Sequence, residues 1–221
     1  MAEQMYDGLS EERLKQAAEA FVRHGVDIRA RVHDLTLSAL QNRRFDRDAM
    51  RDVFRGVTAG VATGAQHAPD MRQAIADGLK GMDEALARSA EAGATALKQL
   101  ASTGKNFSDS DLKGALANLK RLEDDFVTTV SGVADAATGA VQPELRSALG
   151  NLTRSGTETG KQLALAMNDL THRFAVFSID AGIAGLEVAG EFGARFANLA
   201  SGILSGVADA LQRKPEPPKA P

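Results

Sequence analysis

Apolar and small residues recur along this chain at helical spacing nearly from end to end. The stretch Phe174–Leu211 shows it most clearly. Phe174, Phe177, Ala181, Gly185, Val188, Phe192, Phe196, Leu199, Ile203 and Val207 follow one another at steps of 3, 4, 4, 3, 4, 4, 3, 4 and 4. An eleven-residue period of this kind keeps one face of an almost straight helix apolar. Only Asp180, Glu187, Glu191, Arg195 and Asp209 bring charge into the stretch. What that face is pressed against is the functional question.

Upstream the period shortens to seven. Leu14, Ala18, Phe21, Gly25, Ile28, Val32, Leu35 and Ala39 predict a first helix over about 10–41, packed along another helix. Ser10 is its expected N-cap. A second helix, 46–66, carries the stripe Met50, Val53, Val57 and Val61. Its far half sets Gly56, Gly60 and Gly64 four apart on one face. Each glycine costs about 1 kcal/mol of helix propensity. The spacing makes sense if another backbone approaches closely there; the alternative is a helix that frays after Arg55. Pro69 and Asp70 open a third helix, 70–103, with Ile75, Leu79, Met82, Leu86, Ala90, Gly93 and Leu97 on one side.

Asn106–Leu112 has the form of a helix start. Ser108 is the N-cap, Asp111 the acidic member of a capping box, and Phe107 and Leu112 a hydrophobic staple. The helix it opens, 108–139, carries Leu116, Leu119, Phe126, Val130 and Val133. A last helix, 143–213, would span about 105 Å if unbroken. Thr153–Gly160 is rich in poor helix formers, and a bend or break is expected there. The prolines of Lys214–Pro221 predict an extended, disordered tail.

The expected fold is therefore all-α. It is an elongated antiparallel bundle of about five amphipathic helices in one domain, 1–213, with a very long C-terminal helix. Short connections imply antiparallel neighbours.

Composition narrows the function. Aromatic residues make up 5% of the chain and Trp is absent, so the core must be built from Ala, Leu, Val and a few Phe. Cysteine is absent, which removes disulfides, thiolate metal sites and thiol catalysis. A net charge of −3 is a poor match to nucleic acid, and no nucleic-acid partner is expected. The beginning of the chain has no signal-peptide pattern. The longest stretches free of Lys, Arg, Asp and Glu, Gly56–Pro69 and Phe196–Ala208, have 14 and 13 residues, too short to cross a bilayer. The expected setting is the cytoplasm.

Candidate chemistry is sparse. Of His24, His33, His67 and His172, only His172 has a carboxylate one turn before it, Asp169. A di-iron bundle site needs two such pairs, so a solvated helix face is the expectation and no metal is assigned. Glu123, Asp124 and Asp125 fan around their helix and are read as solvated charge, with a basic partner for Glu123 as the alternative. Arg43, Arg44 and Arg47 form a basic patch that can meet an anionic partner, or simply be solvated. No nucleotide-binding glycine loop, catalytic triad or thiol nucleophile is present, so neither an enzyme nor a cofactor is expected.

The chain resembles phasin-like proteins, the helical coats of bacterial polyester storage granules. The resemblance lies in its size, its lack of cysteine, its Ala-rich amphipathic helices such as MDEALARSAEAGATALKQL at 82–100, and its Lys/Pro/Ala tail. The segment Asp109–Val133 is also similar to that of an uncharacterised bacterial all-helical family. The resemblance implies a granule-surface or scaffolding role. The expected function is self-association and coating of an apolar surface, polyester granule or lipid-like, through Phe174, Phe177, Val188, Phe192, Phe196, Leu199 and Ile203. The alternative is a homo-oligomeric helical scaffold or regulator that binds another protein through the same helix.

Overall fold

In the computed structural model, residues 10–41, 47–102 and 116–173 are described, and they contain helices, turns and bends but no strand. The helices are α1 (Glu11–His24), α2 (Ile28–Gln41), α3 (Arg47–Ala65), α4 (Met71–Ser102), α5 (Leu122–Ala136), α6 (Val141–Ser155) and α7 (Glu158–Arg173). A short helical run at 116–120 precedes α5, with a turn at Arg121 between them. The start around Ser108 and the whole of Phe174–Leu211 lie outside the described residues, as does the tail.

The expected first helix is two helices. Gly25 leaves α1 in the left-handed conformation (φ 69°, ψ 5°), its N–H bonded to the Val22 carbonyl, and Asp27 also has positive φ. Asp27 then accepts the first main-chain bond of α2, from Arg31 N–H. The heptad stripe passes straight through Gly25, but the two halves press on different partners. α1 packs on α3 and α2 packs on α4, which a single straight rod cannot do. The buried residues of α1 are consequently Leu14, Ala18 and Val22, while Phe21 is only half-buried.

The three glycines of α3 explain how α1 sits. A Cβ on Gly56 would lie 2.7 Å from the Glu11 carbonyl oxygen, one on Gly60 2.7 Å from Ala18 Cβ, and one on Gly64 2.7 Å from the Glu19 carbonyl oxygen. The helix continues to Ala65, so the close-packed alternative holds and fraying after Arg55 does not. Residue numbers rise together on both helices, so α1 and α3 run in parallel. This departs from the antiparallel neighbours that short connections suggest. α2 returns the chain, and the glycine ladder lets the two same-direction helices meet backbone to backbone. Between α3 and α4 the order reverses. Val61 packs over Gly78, while Thr58 Oγ1 donates to Met82 Sδ at 3.6 Å, so that pair is antiparallel.

α4 is the long element of the described fold, 32 residues or about 48 Å. Asp70 caps it, accepting from Gln73 N–H at 2.9 Å, with Pro69 just outside. Four helices pack along it: α2, α3, α6 and α7. Ile75, Leu79, Met82, Leu86, Ala90 and Leu97 are all buried, as their spacing predicts. The other side of α3 presents Phe54 to Phe126 of α5. One continuous core joins all seven helices.

The expected 143–213 helix is interrupted. α6 ends at Gly156, whose φ of 79° and ψ of 126° no helix contains, and α7 begins at Glu158. The break falls inside the Thr153–Gly160 stretch where poor helix formers cluster.

Candidate functional site

The residues expected to meet an apolar surface, Phe174, Phe177, Val188, Phe192, Phe196, Leu199 and Ile203, lie outside the described residues, as do Arg43 and Arg44. Arg47 stands in the first turn of α3, and its partly exposed side chain reaches across to α5. Its Nη2 and Nε donate to Asp125 Oδ1 and Oδ2 at 2.7 and 2.8 Å, and Arg51 Nη2 donates to the same Oδ1 at 2.7 Å. Burial acts to raise the Asp125 carboxyl, but the hydrogen bond and charge of Arg47, joined by Arg51, outweigh it and hold the group below the ordinary carboxylate range. The same pairing raises the Arg47 guanidinium.

The acidic run on α5 is therefore not solvated charge. Asp125 is buried at 7% exposure, Glu123 is half-buried, and Asp124 alone faces water. Glu123 pairs with a hydroxyl rather than a basic residue: Thr157 Oγ1 donates to its Oε1.

That contact belongs to a polar seam where α7 docks. Asp83, in the middle of α4, is fully buried. Its Oδ2 accepts from Glu158 N–H at 2.7 Å and its Oδ1 from Thr159 N–H at 3.0 Å. The Thr159 hydroxyl lies 2.7 Å from Oδ1 and 3.0 Å from the Asp83 carbonyl oxygen. Thr157 is the local cap, accepting from Gly160 N–H at 2.8 Å. Thus α7 is capped twice, by its own Thr157 and by a carboxylate 75 positions away in sequence. The orphan N–H groups that every helix presents at its start, with their partial positive charge, stabilise Asp83, and Lys161 lies near enough to interact with it electrostatically. Gly160 lets Glu123 approach: a Cβ there would meet Glu123 Oε1 at 2.5 Å.

Sequence reasoning passed over Asp83. The signal was present, because Asp83 stands four residues after Leu79 and three before Leu86, on the buried side of α4. Thr157-Glu158 also had the form of a helix start.

A second feature is an open groove of about 550 Å³ at the α1–α2 break, lined by Asp27, Arg29, His33, Asp34, Asp77 and Glu84 among others. Arg29 crosses it to Glu84, with Nε 2.9 Å from Oε2 and Nη2 on Oε1. His33 Nδ1 contacts Asp34, and Asp77 accepts from Gln73. The groove's charges are thus largely paired within the protein.

Among the described residues no three His, Asp or Glu side chains are grouped so as to hold a metal ion. No helix there is long and apolar enough to cross a membrane. Among the described residues every buried side-chain nitrogen or oxygen has a hydrogen-bond partner; Asp83 and Asp125 join helix to helix, while Thr36 and Ser89 bond within their own helices.

No curated protein and no solved structure matches the chain. A family model does match, described as a family of unknown function, DUF6781, and it covers residues 4–213. With nearly the whole chain matched, the protein belongs to this DUF6781 family.

Proposed function

We propose that this protein is a non-enzymatic, amphipathic helical protein that self-associates and coats an apolar surface, in the manner of a phasin-like granule coat in the cytoplasm. One observation supports the reading. The described helices turn their apolar stripes on one another, and Val26 and Leu165 are the exposed large hydrophobics among the described residues. The sequence contains one further long apolar stripe, Phe174–Val207, with Phe at four of its ten positions. Adsorption would draw on that stripe at about 25 cal/mol per Å² of apolar area removed from water. Phe174, Phe177, Val188, Phe192, Phe196, Leu199 and Ile203 are the residues assigned to it.

The test is the full chain with Phe192→Asp and Phe196→Asp, offered to polyester nanoparticles. Loss of adsorption with helix content retained supports the reading; adsorption equal to the unmodified protein overturns it. Light scattering separates the scaffold alternative, which requires a discrete oligomer whose size particles leave unchanged. In cells, a fluorescently tagged copy should collect on polyester granules and spread through the cytoplasm where none are made.

A further inference from the structure

Three residues, Gly25, Val26 and Asp27, separate α1 from α2. The apolar stripe from Leu14 to Ala39 keeps its heptad spacing straight through them, as one continuous helix would. The corner is a backbone state: φ is 69° at Gly25 and 51° at Asp27. Glycine enters that left-handed region freely, whereas Asp, with a Cβ, does so at a cost. The corner is also thinly covered. All three residues are exposed, nothing lies within 4 Å of a Cβ built on Gly25, and the open groove of about 550 Å³ is lined by Gly25 and Asp27. Val26 is 55% exposed. In a continuous helix it would stand one turn beyond Val22, on the side of α1 that α3 covers.

α1 is a separable piece. It packs chiefly on α3, with Leu14, Ala18 and Val22 against the glycine ladder and Glu11 paired with Arg55 at 3.1 Å. That interface is defined by α1 and α3, whichever chain each comes from. If the corner straightens, α1 becomes an extension of α2, leaves its own α3 and uncovers the glycine ladder. The α1 of a second copy, straightened in the same way, matches that ladder as the first one did. Apolar area exposed on opening is buried again on pairing, so the difference between the two forms falls on the hinge. Straightening releases Asp27 from positive φ but sets Gly25 inside a helix. These opposed contributions are of similar size, which leaves protein concentration to select the form.

We propose that two copies of this chain form a reciprocal dimer by exchanging α1, with Gly25–Asp27 as the hinge and α3 of each copy receiving the α1 of the other. The exchange makes no use of Phe174–Leu211. It is a route to self-association that stands or falls separately from the coating of an apolar surface.

The absence of native cysteine allows a direct test on the full-length protein. Glu11→Cys and Arg55→Cys, made in separate chains, put one thiol on each side of the α1–α3 contact. The two variants are mixed at high concentration, unfolded and refolded together under reducing conditions, and then oxidised. An exchanged dimer gives a disulfide between the two variants, in a yield that rises with concentration and exceeds that of Glu11→Cys mixed with itself. Gly25→Ala with Asp27→Ala, which disfavours the corner and favours the rod, should lower the concentration needed for half-yield by about tenfold. Asp27→Gly, which relieves the corner and weakens the rod, should raise it.

A native-hinge protein that light scattering finds monomeric up to millimolar concentration overturns the exchange. So does a dimer in which the two thiols join no more often than in the self-mixed control. These two results decide the matter even if the hinge variants fail to fold. Glu11→Cys with Arg55→Cys in one chain, bridged at high dilution, should stay monomeric where the unbridged protein is dimeric; a bridged chain that still dimerises overturns the exchange. Failure of the protein to adsorb to polyester nanoparticles would instead overturn the coating function, because the disulfide yield is read without any particle present.

Discussion

The rings of Phe54 and Phe126 meet edge to face, with centroids 5.8 Å apart and planes at 83°, and both side chains are fully buried. They join α3 to α5, and the two residues stand more than 70 positions apart in sequence. They are the largest fully buried side chains among the described residues. Truncation to Ala at either position should cost about 3–5 kcal/mol. A double-mutant cycle through the two Leu variants should show coupling of about 0.5–1.5 kcal/mol. Denaturant melts of the two Ala variants and of the four proteins of the cycle measure these quantities, and strict additivity would remove the ring contact as a distinct contribution.

Asp125 predicts an acid limit. Its folded carboxyl titrates below its unfolded value, so its stabilisation is complete above the ordinary carboxylate range and is lost as pH falls through the lowered folded pKa. Asp125→Asn should cost about 1–3 kcal/mol at neutral pH. Arg47 and Arg51 both reach solvent and can rehydrate, which holds the cost below that of a stranded buried charge. The gap between the two proteins should stay level from pH 8 to about 5 and close below about 4. A gap that widens on acidification would contradict the assigned direction.

Glycines inside these helices should respond with opposite signs. Gly60→Ala gains about 1 kcal/mol of helix propensity. It also drives a methyl into Ala18 Cβ and under the Lys15 carbonyl, where backbone cannot yield. A net loss of about 1–3 kcal/mol is expected. Gly150, in α6, has nothing within 4 Å of a built Cβ, and Gly150→Ala should raise stability by about 0.4–1 kcal/mol. Thermal melts of the two variants should therefore move in opposite directions.

Gly25 is a third case, set by conformation rather than space. Nothing lies within 4 Å of a Cβ there, but φ is +69°. Gly25→Ala should cost about 1 kcal/mol and Gly25→Asn less, because Asn tolerates the left-handed region. Equal effects in chemical denaturation would mean that the α1–α2 break is not held by this backbone state.

Much of the helical pattern was legible from spacing alone. Met50, Val53, Val57 and Val61, and Ile75 through Leu97, are buried as their stripes require, because an amphipathic helix shows its inner face in one dimension. The glycine ladder of α3 was legible as a close approach, though not which helix approached. The break at Gly25 was hidden, since its position continues the heptad and only a change of packing partner favours the turn. The polar seam was legible only in its parts, Asp83 on the buried side of α4 and Thr157-Glu158 as a helix start. That Asp83, Glu123 and Thr157–Thr159 meet is decided only where three separate helices converge.

The amino-acid sequence by itself determined the helical class, the main stripes, the punctuation at Pro69–Asp70 and near Gly156, and a core of small aliphatic residues with few rings. Those properties depend on neighbours one or two turns away. Tertiary structure alone decided that α1 lies parallel to α3, that Arg47 turns to Asp125, and that α7 is capped by a buried carboxylate of α4. Each of these joins groups distant in the chain. Whether a charge is solvated or buried depends on what folds over it, and no local pattern contains that information.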